Sequence, residues 1–200
     1  MDRPFSQACE NNKDPILSVL KNVFLQPMDV LEVGSGTGQH AAHMARHLPH
    51  LTWYTSDRLE NHPGIRAWTE DACLPNLRGP LDLDVTQEAW PLTKAQGAFS
   101  ANTAHIMAWP MVEDMFKGIG KILLAEGHFC LYGPFNYQGR FTSDSNERFD
   151  GWLKRQDPQQ GIRDFEAIDA LASENNLEFI ADHAMPANNR ILVWRKRPSI

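Results

Sequence analysis

The stretch Val30-Leu31-Glu32-Val33-Gly34-Ser35-Gly36-Thr37-Gly38 carries the sharpest chemical signal in the chain. An apolar strand runs straight into a glycine-rich turn that opens a helix. Glycines allow positive φ in such a turn and remove the Cβ that would hold a ligand off the backbone. The helix start adds free N–H groups. This geometry suits the ribose and polar tail of a nucleotide-like ligand. The glycines fall as GxGxG, with Gln39 where a dinucleotide fingerprint has its third glycine, and the GK[ST] of a phosphate loop is missing. Glu32, just before the turn, would repel a pyrophosphate and attract an ammonium or a sulfonium. Two further carboxylates, Asp57 and Asp84, fall at the ends of the next two apolar segments. Ligands of open α/β sheets bind at such carboxyl ends. Taken singly, Asp57 also reads as a turn or cap residue and Asp84 as a cap for Thr86.

Other groups invite weaker readings. Asn102 and His105 follow the fourth apolar segment, and His105 would be a general base for a hydroxyl, amine or thiol, or else a histidine packing the start of the next helix. His40, His43 and His47 recur at helical intervals, with His50 after Pro49. With no HExxH and no cysteine partner they read as a solvated stripe, and no metal is expected. The segment after Tyr132 mixes aromatic and small polar residues. Tyr132, Phe135, Tyr137 and Phe141 would shape an apolar pocket, with Asn136, Ser143, Ser145 and Asn146 orienting a ligand. Cys9, Cys73 and Cys130 are odd in number and widely spaced, which fits free thiols.

The elements that must position these groups alternate between strand-like and helix-like periods, the mark of an α/β fold with a mostly parallel sheet. A first helix is expected from Pro15, with Asp14 as its N-cap. Strands are expected at 30–33, 51–55, 81–85, 97–101 and 128–132, with a closing pair at 177–180 and 191–194. Helices are expected at about 39–48, over Val112 to Leu123 with Gly127 ending it, around Phe149 to Leu153, and after Asp164. The 200 residues fit one domain, 1–200, with 1–14 before the first helix and 133–160 as an inserted loop. An apolar content of 42% with 22% charged residues is that of a globular chain. The net charge of −6 argues against nonspecific nucleic-acid binding. The one dense basic run, Arg195-Lys196-Arg197, reads as a solvated tail. No apolar run is long enough to span a membrane, and Met1-Asp2-Arg3-Pro4-Phe5 has no signal pattern, so a cytoplasmic protein is expected.

Glu32 through Gly38 resembles motif I of the class I S-adenosylmethionine-dependent methyltransferases. A closer resemblance covers nearly the whole chain. Its blocks are Glu10-Asn11-Asn12-Lys13-Asp14-Pro15-Ile16-Leu17, Tyr132-Gly133-Pro134-Phe135-Asn136, Gly139-Arg140-Phe141-Thr142-Ser143, Gly161-Ile162-Arg163-Asp164 and Met185-Pro186-Ala187-Asn188-Asn189. Together they are similar to the domain of unknown function 938 family, also called methyltransferase-like 26. One departure is Asn11, where that family usually has arginine. The resemblance implies a Rossmann-like α/β fold of seven strands with the last strand antiparallel and helices on both faces. It implies S-adenosylmethionine as cofactor, S-adenosylhomocysteine as product and a small molecule as partner. Glu32, Gly34, Ser35, Gly36 and Gly38 would then hold the methionine end, Asp57 the ribose and Asp84 the adenine. Asn102 and His105 would line the transfer site, and the acceptor would meet Asn12, Lys13, Tyr132, Phe135, Asn136, Phe141 and Asn146. Residues 5–14 would fold over the donor as a lid. Two other classes stay open, a non-catalytic S-adenosylmethionine binder and a nicotinamide-dependent oxidoreductase.

Overall fold

The structure is a computed structural model, described here for residues 3–198. In chain order its elements are α1 (Gln7–Val23), β1 (Met28–Val33), α2 (Gln39–His47), β2 (Leu51–Asp57), α3 (His62–Ala72), β3 (Leu77–Asp82), β4 (Ala95–Ala101), α4 (Trp109–Ile122) and β5 (Leu123–Gly133). β6 (Phe135–Asn136), α5 (Asp144–Gln156), β7 (Arg163–Asp164), α6 (Phe165–Glu174), β8 (Leu177–Met185) and β9 (Asn189–Lys196) complete them. Seven strands form one sheet in the order β3-β2-β1-β4-β5-β9-β8. β9 runs antiparallel to both of its neighbours and the other strands are parallel. β6 and β7 pair separately, Phe135 opposite Arg163.

Both sheet faces are apolar, as a parallel sheet covered by helices requires. Along β5 and β9 successive side chains alternate between two cores. Phe129, Leu131, Leu192 and Trp194 join Val112, Met115, Phe116 and Ile119 of α4 and Ile168 of α6. Cys130, Tyr132, Ile191 and Val193 join Ile16 and Leu20 of α1 and Ala41, Met44 and Ala45 of α2. The chain builds outward from β1 through β2 to β3, then returns to place β4 on the other side of β1. That reversal leaves a crevice at the carboxyl ends of β1 and β4, where open α/β sheets bind ligands.

Several sequence expectations are corrected. α1 starts eight residues before Pro15, capped by Ser6, whose Oγ accepts from the Cys9 N–H at 3.3 Å. Pro15 lies inside the helix and leaves the Asn11 carbonyl without its usual intrahelical donor. A polar surface hid this half of the helix: the inward stripe is Cys9, Asn12, Ile16 and Leu20, interrupted by a buried asparagine. β3 ends at Asp82, so Asp84 lies beyond the strand. α4 ends at Ile122 and β5 begins at once, so Gly127 sits in a strand; Glu126 beside it has φ 67°, and the pairing with β4 shifts register there. α3 was not expected at all. The basic run is no loose tail: Arg195 bridges Glu126 and Glu178, and Lys196 Nζ donates to the Gly120 and Asn175 carbonyls. No helix among the described residues is long and apolar enough to cross a membrane.

Candidate active site

A cavity of about 700 Å³ opens at the carboxyl ends of β1, β4 and β5. Its floor is the turn from Gly34 to Thr37, with Asn102 and Tyr132 beside it. Cys9 and Asn12 of α1 and His40 of α2 close one end. His105, Ile106, Asn146 and Phe149, with Asn189 from the start of β9, line the other.

The turn is held from below. The Gly34 and Ser35 N–H groups both donate to the Ser56 carbonyl, at 3.1 and 2.9 Å. The Gly36 N–H donates to Asp57 Oδ2 at 2.8 Å. Gly36 has φ 57°, and a Cβ there would meet no atom within 4 Å, so the residue leaves its backbone open toward the cavity. Gly38 serves packing: a Cβ would lie 3.0 Å from Ile65 Cα, where α2 crosses α3.

Two carboxylates stand behind this turn. Glu32 is buried, and its Oε2 accepts from Ser35 Oγ at 2.9 Å and Trp53 Nε1 at 3.2 Å. Burial raises its pKa to about 7 against those hydrogen bonds, and the neighbouring Asp57 adds to the rise. Asp57 also accepts from the Arg58 N–H at 2.8 Å and Asn61 Nδ2 at 2.9 Å through Oδ1. Asp84 lies outside the cavity lining, as do Glu32, Gly38 and Asp57. Asp84 Oδ1 accepts from Thr86 N–H at 3.0 Å and Thr86 Oγ1 at 2.8 Å, which hold its pKa low.

Asn102 adopts φ 58°, with its N–H donating to the Tyr132 carbonyl at 2.9 Å. His105 is buried at the cavity wall, its ring edge-on to Phe149 with centroids 5.3 Å apart. Burial, with Arg163 nearby, lowers its pKa to about 4, so the imidazole is neutral. Of the expected acceptor residues, Asn12, Tyr132 and Asn146 line the cavity. Four others do not. Lys13 pairs with Glu10 over an outer groove beside Arg46 and His43. Phe135 is in the core beneath α4. Asn136 lies on β6 opposite Asp164, and Phe141 sits on an exposed loop.

The histidine stripe is corrected as well. His40 is buried rather than solvated: its Nε2 meets Asn12 Oδ1 at 2.6 Å and its Nδ1 meets Cys9 Sγ at 3.8 Å. Burial, with His43 nearby, lowers its pKa to about 4. His43 pairs with Asp14 at 3.0 Å and stacks on His47. No group of metal-ligating side chains occurs among the described residues. The Ser6 backbone and the Gln39 side-chain amide also bond each other in both directions. The first half of α1 is thus docked on α2, and Cys9, His40, Ile106, Phe149 and Asn189 are cavity residues that the sequence reading missed. The helical spacing of Cys9, Asn12 and Ile16 was the available signal for the α1 side of the wall.

These three buried groups set a pH dependence. His40 and His105 take up protons more readily unfolded, so each contributes stability above pH 6.5 that is lost as pH falls toward 4. Glu32 acts oppositely: it holds its proton in the fold up to about pH 7, so its contribution is lost as pH rises from 4.5 through 7. Between pH 4.5 and 6.5 these three groups together differ by about one proton, which contributes a rise of roughly 1.4 kcal/mol per pH unit; burial also lowers the pKa of His43 and His128, which act in the same direction. Glu32→Gln should steepen that slope by about one proton and stabilise the ligand-free protein at pH 8 by on the order of 1–3 kcal/mol. Urea unfolding across this pH range reads both; an unchanged slope in the variant would contradict the assignment.

The chain matches the family described as "Protein of unknown function (DUF938)" over residues 3–196. Among solved structures, it is similar to an O-methyltransferase family protein from Burkholderia thailandensis, with a TM-score of 0.83 and 13% identity over 96% of this chain and 58% of that one. The S-adenosylmethionine-dependent methyltransferase SibL in its apo form gives a TM-score of 0.80 and 17% identity over 96% of this chain and 56% of that one. Human N-acetylserotonin methyltransferase in complex with SAM gives 0.78 and 15%, over 96% and 53%. The chain spans little more than half the length of these proteins. The fold is that of the class I methyltransferases.

Proposed function

The chain belongs to the DUF938 family, and from that premise and the cavity we propose an S-adenosylmethionine-dependent methyltransferase of a small molecule. The observation that carries the reading is the buried carboxyl of Glu32 behind an open glycine turn, with Asp57 on the turn's other flank. An acid with a pKa raised to about 7 and no basic partner suits a cationic ligand group, whose approach would return it to its charged form. The nicotinamide alternative loses support on the same ground, since a pyrophosphate over this turn would find two carboxyl groups behind it and no lysine or arginine lining the cavity among the described residues.

When bound, the donor supplies an electrophilic methyl carbon on a sulfonium. Glu32, through Ser35 and the turn, would orient the ammonium end, and Asp57 would accept the ribose hydroxyls. Asp84 would offer its second oxygen to the adenine amino group. α1, carrying Cys9 and Asn12, covers this end and excludes water from it, which direct displacement needs more than acid–base help. Neutral His105, or solvent, would take the acceptor's proton.

Calorimetry with S-adenosylhomocysteine should give a saturable isotherm, and thermal unfolding should shift upward with ligand concentration. NADH under the same conditions should give neither. Turnover is read as S-adenosylhomocysteine released from S-adenosylmethionine in a metabolite extract, with mass spectrometry identifying the methylated product. Absence of any thermal shift at millimolar S-adenosylhomocysteine would remove the reading.

A further inference from the structure

We propose that the acceptor is an uncharged, flat, apolar molecule bearing a hydroxyl, held against Phe149 and Ile106 with the hydroxyl at His105; this rests on the donor reading above. No aspartate, glutamate, lysine or arginine lines the cavity among the described residues. Arg163, the charge closest in effect on His105, is held by the carbonyls of Ala104, Met107 and Gln159 and does not line it. At the His105 end a charged acceptor would lose hydration with no protein counter-ion to replace it, whereas the donor's ammonium would lie over the turn backed by Glu32 and Asp57.

The walls at this end are flat and apolar. Phe149 stacks on Trp152 at 5.9 Å with an 11° interplanar angle, and its ring meets the edge of His105. Ile106 is 51% exposed although it is a large apolar side chain beside the cavity. A planar ring would cover both surfaces, and aromatic pairs add to simple area burial.

Two side-chain amides at this end have their donor groups engaged within the protein. Asn146 directs its Nδ2 to Thr142 Oγ1 at 2.9 Å and to the Asn188 carbonyl at 3.2 Å. Asn189 directs its Nδ2 to the Pro186 and Ala187 carbonyls. Each therefore presents Oδ1. His105 places a neutral imidazole beside them. Amide oxygens and a neutral imidazole suit a ligand that donates, and a neutral hydroxyl does so without carrying charge into the cavity. In the transfer the hydroxyl oxygen forms the bond to the methyl carbon, the carbon–sulfur bond electrons stay on sulfur, and the hydroxyl proton goes to His105.

The test uses the protein loaded with S-adenosylhomocysteine and three molecules of one shape: 3-methylphenol, 3-hydroxybenzoate and 3-hydroxybenzylammonium. Calorimetric titration should show 3-methylphenol binding, and the anion and cation each binding at least about tenfold more weakly. Ile106→Lys, at a half-exposed position where folding is not at stake, should weaken 3-methylphenol and strengthen 3-hydroxybenzoate, moving their ratio by at least about tenfold. A charged ring binding as tightly as the neutral one, an unchanged ratio in the variant, or no binding of 3-methylphenol to loaded protein would each overturn the proposal. Failure of S-adenosylhomocysteine to bind in the loading step would instead remove the donor reading, and this proposal with it.

Discussion

Replacing Asp57 by alanine should weaken S-adenosylhomocysteine binding by at least about tenfold, because hydrogen bonds to a charged acceptor contribute on the order of 1.5–3 kcal/mol. The structure adds a second consequence. Asp57 Oδ2 also holds the Gly36 N–H, and Oδ1 holds Arg58 N–H and Asn61 Nδ2. Alanine therefore releases the glycine turn as well as the ribose, and thermal stability should fall with affinity. Asp57→Asn separates the two effects. It keeps one acceptor oxygen but cannot retain the charge, so the turn should remain largely held while binding still falls. Calorimetry and thermal unfolding on both variants read this. Wild-type affinity in Asp57→Ala would mean that the end of β2 is not where the donor's ribose lies.

Removing residues 1–12 should abolish turnover and weaken S-adenosylhomocysteine binding by more than about tenfold. The expectation from sequence alone, a lid whose loss leaves the ligand-free protein intact, is revised by the contacts α1 makes. Trp68 Nε1 donates to the Pro4 carbonyl at 2.7 Å, and Arg3 lies over the Trp68 ring at 4.4 Å. Ser6 bonds Gln39 and Asn12 bonds His40. The truncated protein should therefore also melt several degrees lower without ligand. Asn12→Ala is the milder probe. It leaves the buried His40 without its partner, at a cost of about 1–3 kcal/mol, and opens the cavity wall beside Cys9. Normal donor binding by the truncated protein would show that the first half of α1 is packing alone.

What was legible in the sequence was local. The glycine turn and its flanking strand follow from neighbours within a few residues, and Asp57 ends β2, behind the turn and outside the cavity lining. α1 was misjudged because Pro15 is a good first helical residue, and nothing nearby says that the helix has already run from Gln7. His40 looked solvated because the helix that covers it comes from earlier in the chain, and no periodicity within α2 reports that cover. Phe135 and Tyr132 are both aromatic and close together, yet Tyr132 lines the cavity while Phe135 enters the core beneath α4. Side-chain type could not separate them; the face on which each emerges did. β3 runs Leu77–Asp82 rather than 81–85: alternation of Leu81, Leu83 and Val85 set the expectation, whereas the strand starts earlier and holds Pro80 at the sheet edge, where proline is tolerated.

The place of β9 between β5 and β8 bears on how the chain is made. β5 is synthesised more than fifty residues before the strand that covers its free edge, as their pairing of Cys130 with Val193 shows. β8 has no sheet neighbour except β9. Throughout synthesis of the intervening segment, β5 carries an uncovered edge with Phe129 and Leu131 on it, a template for pairing with other chains. Defects in Ile191 to Trp194 should therefore appear first as insoluble protein in the cell, before ligand binding can be assayed. Such variants belong in a refolding experiment at high dilution, where the open edge meets its own late strand rather than a neighbour's.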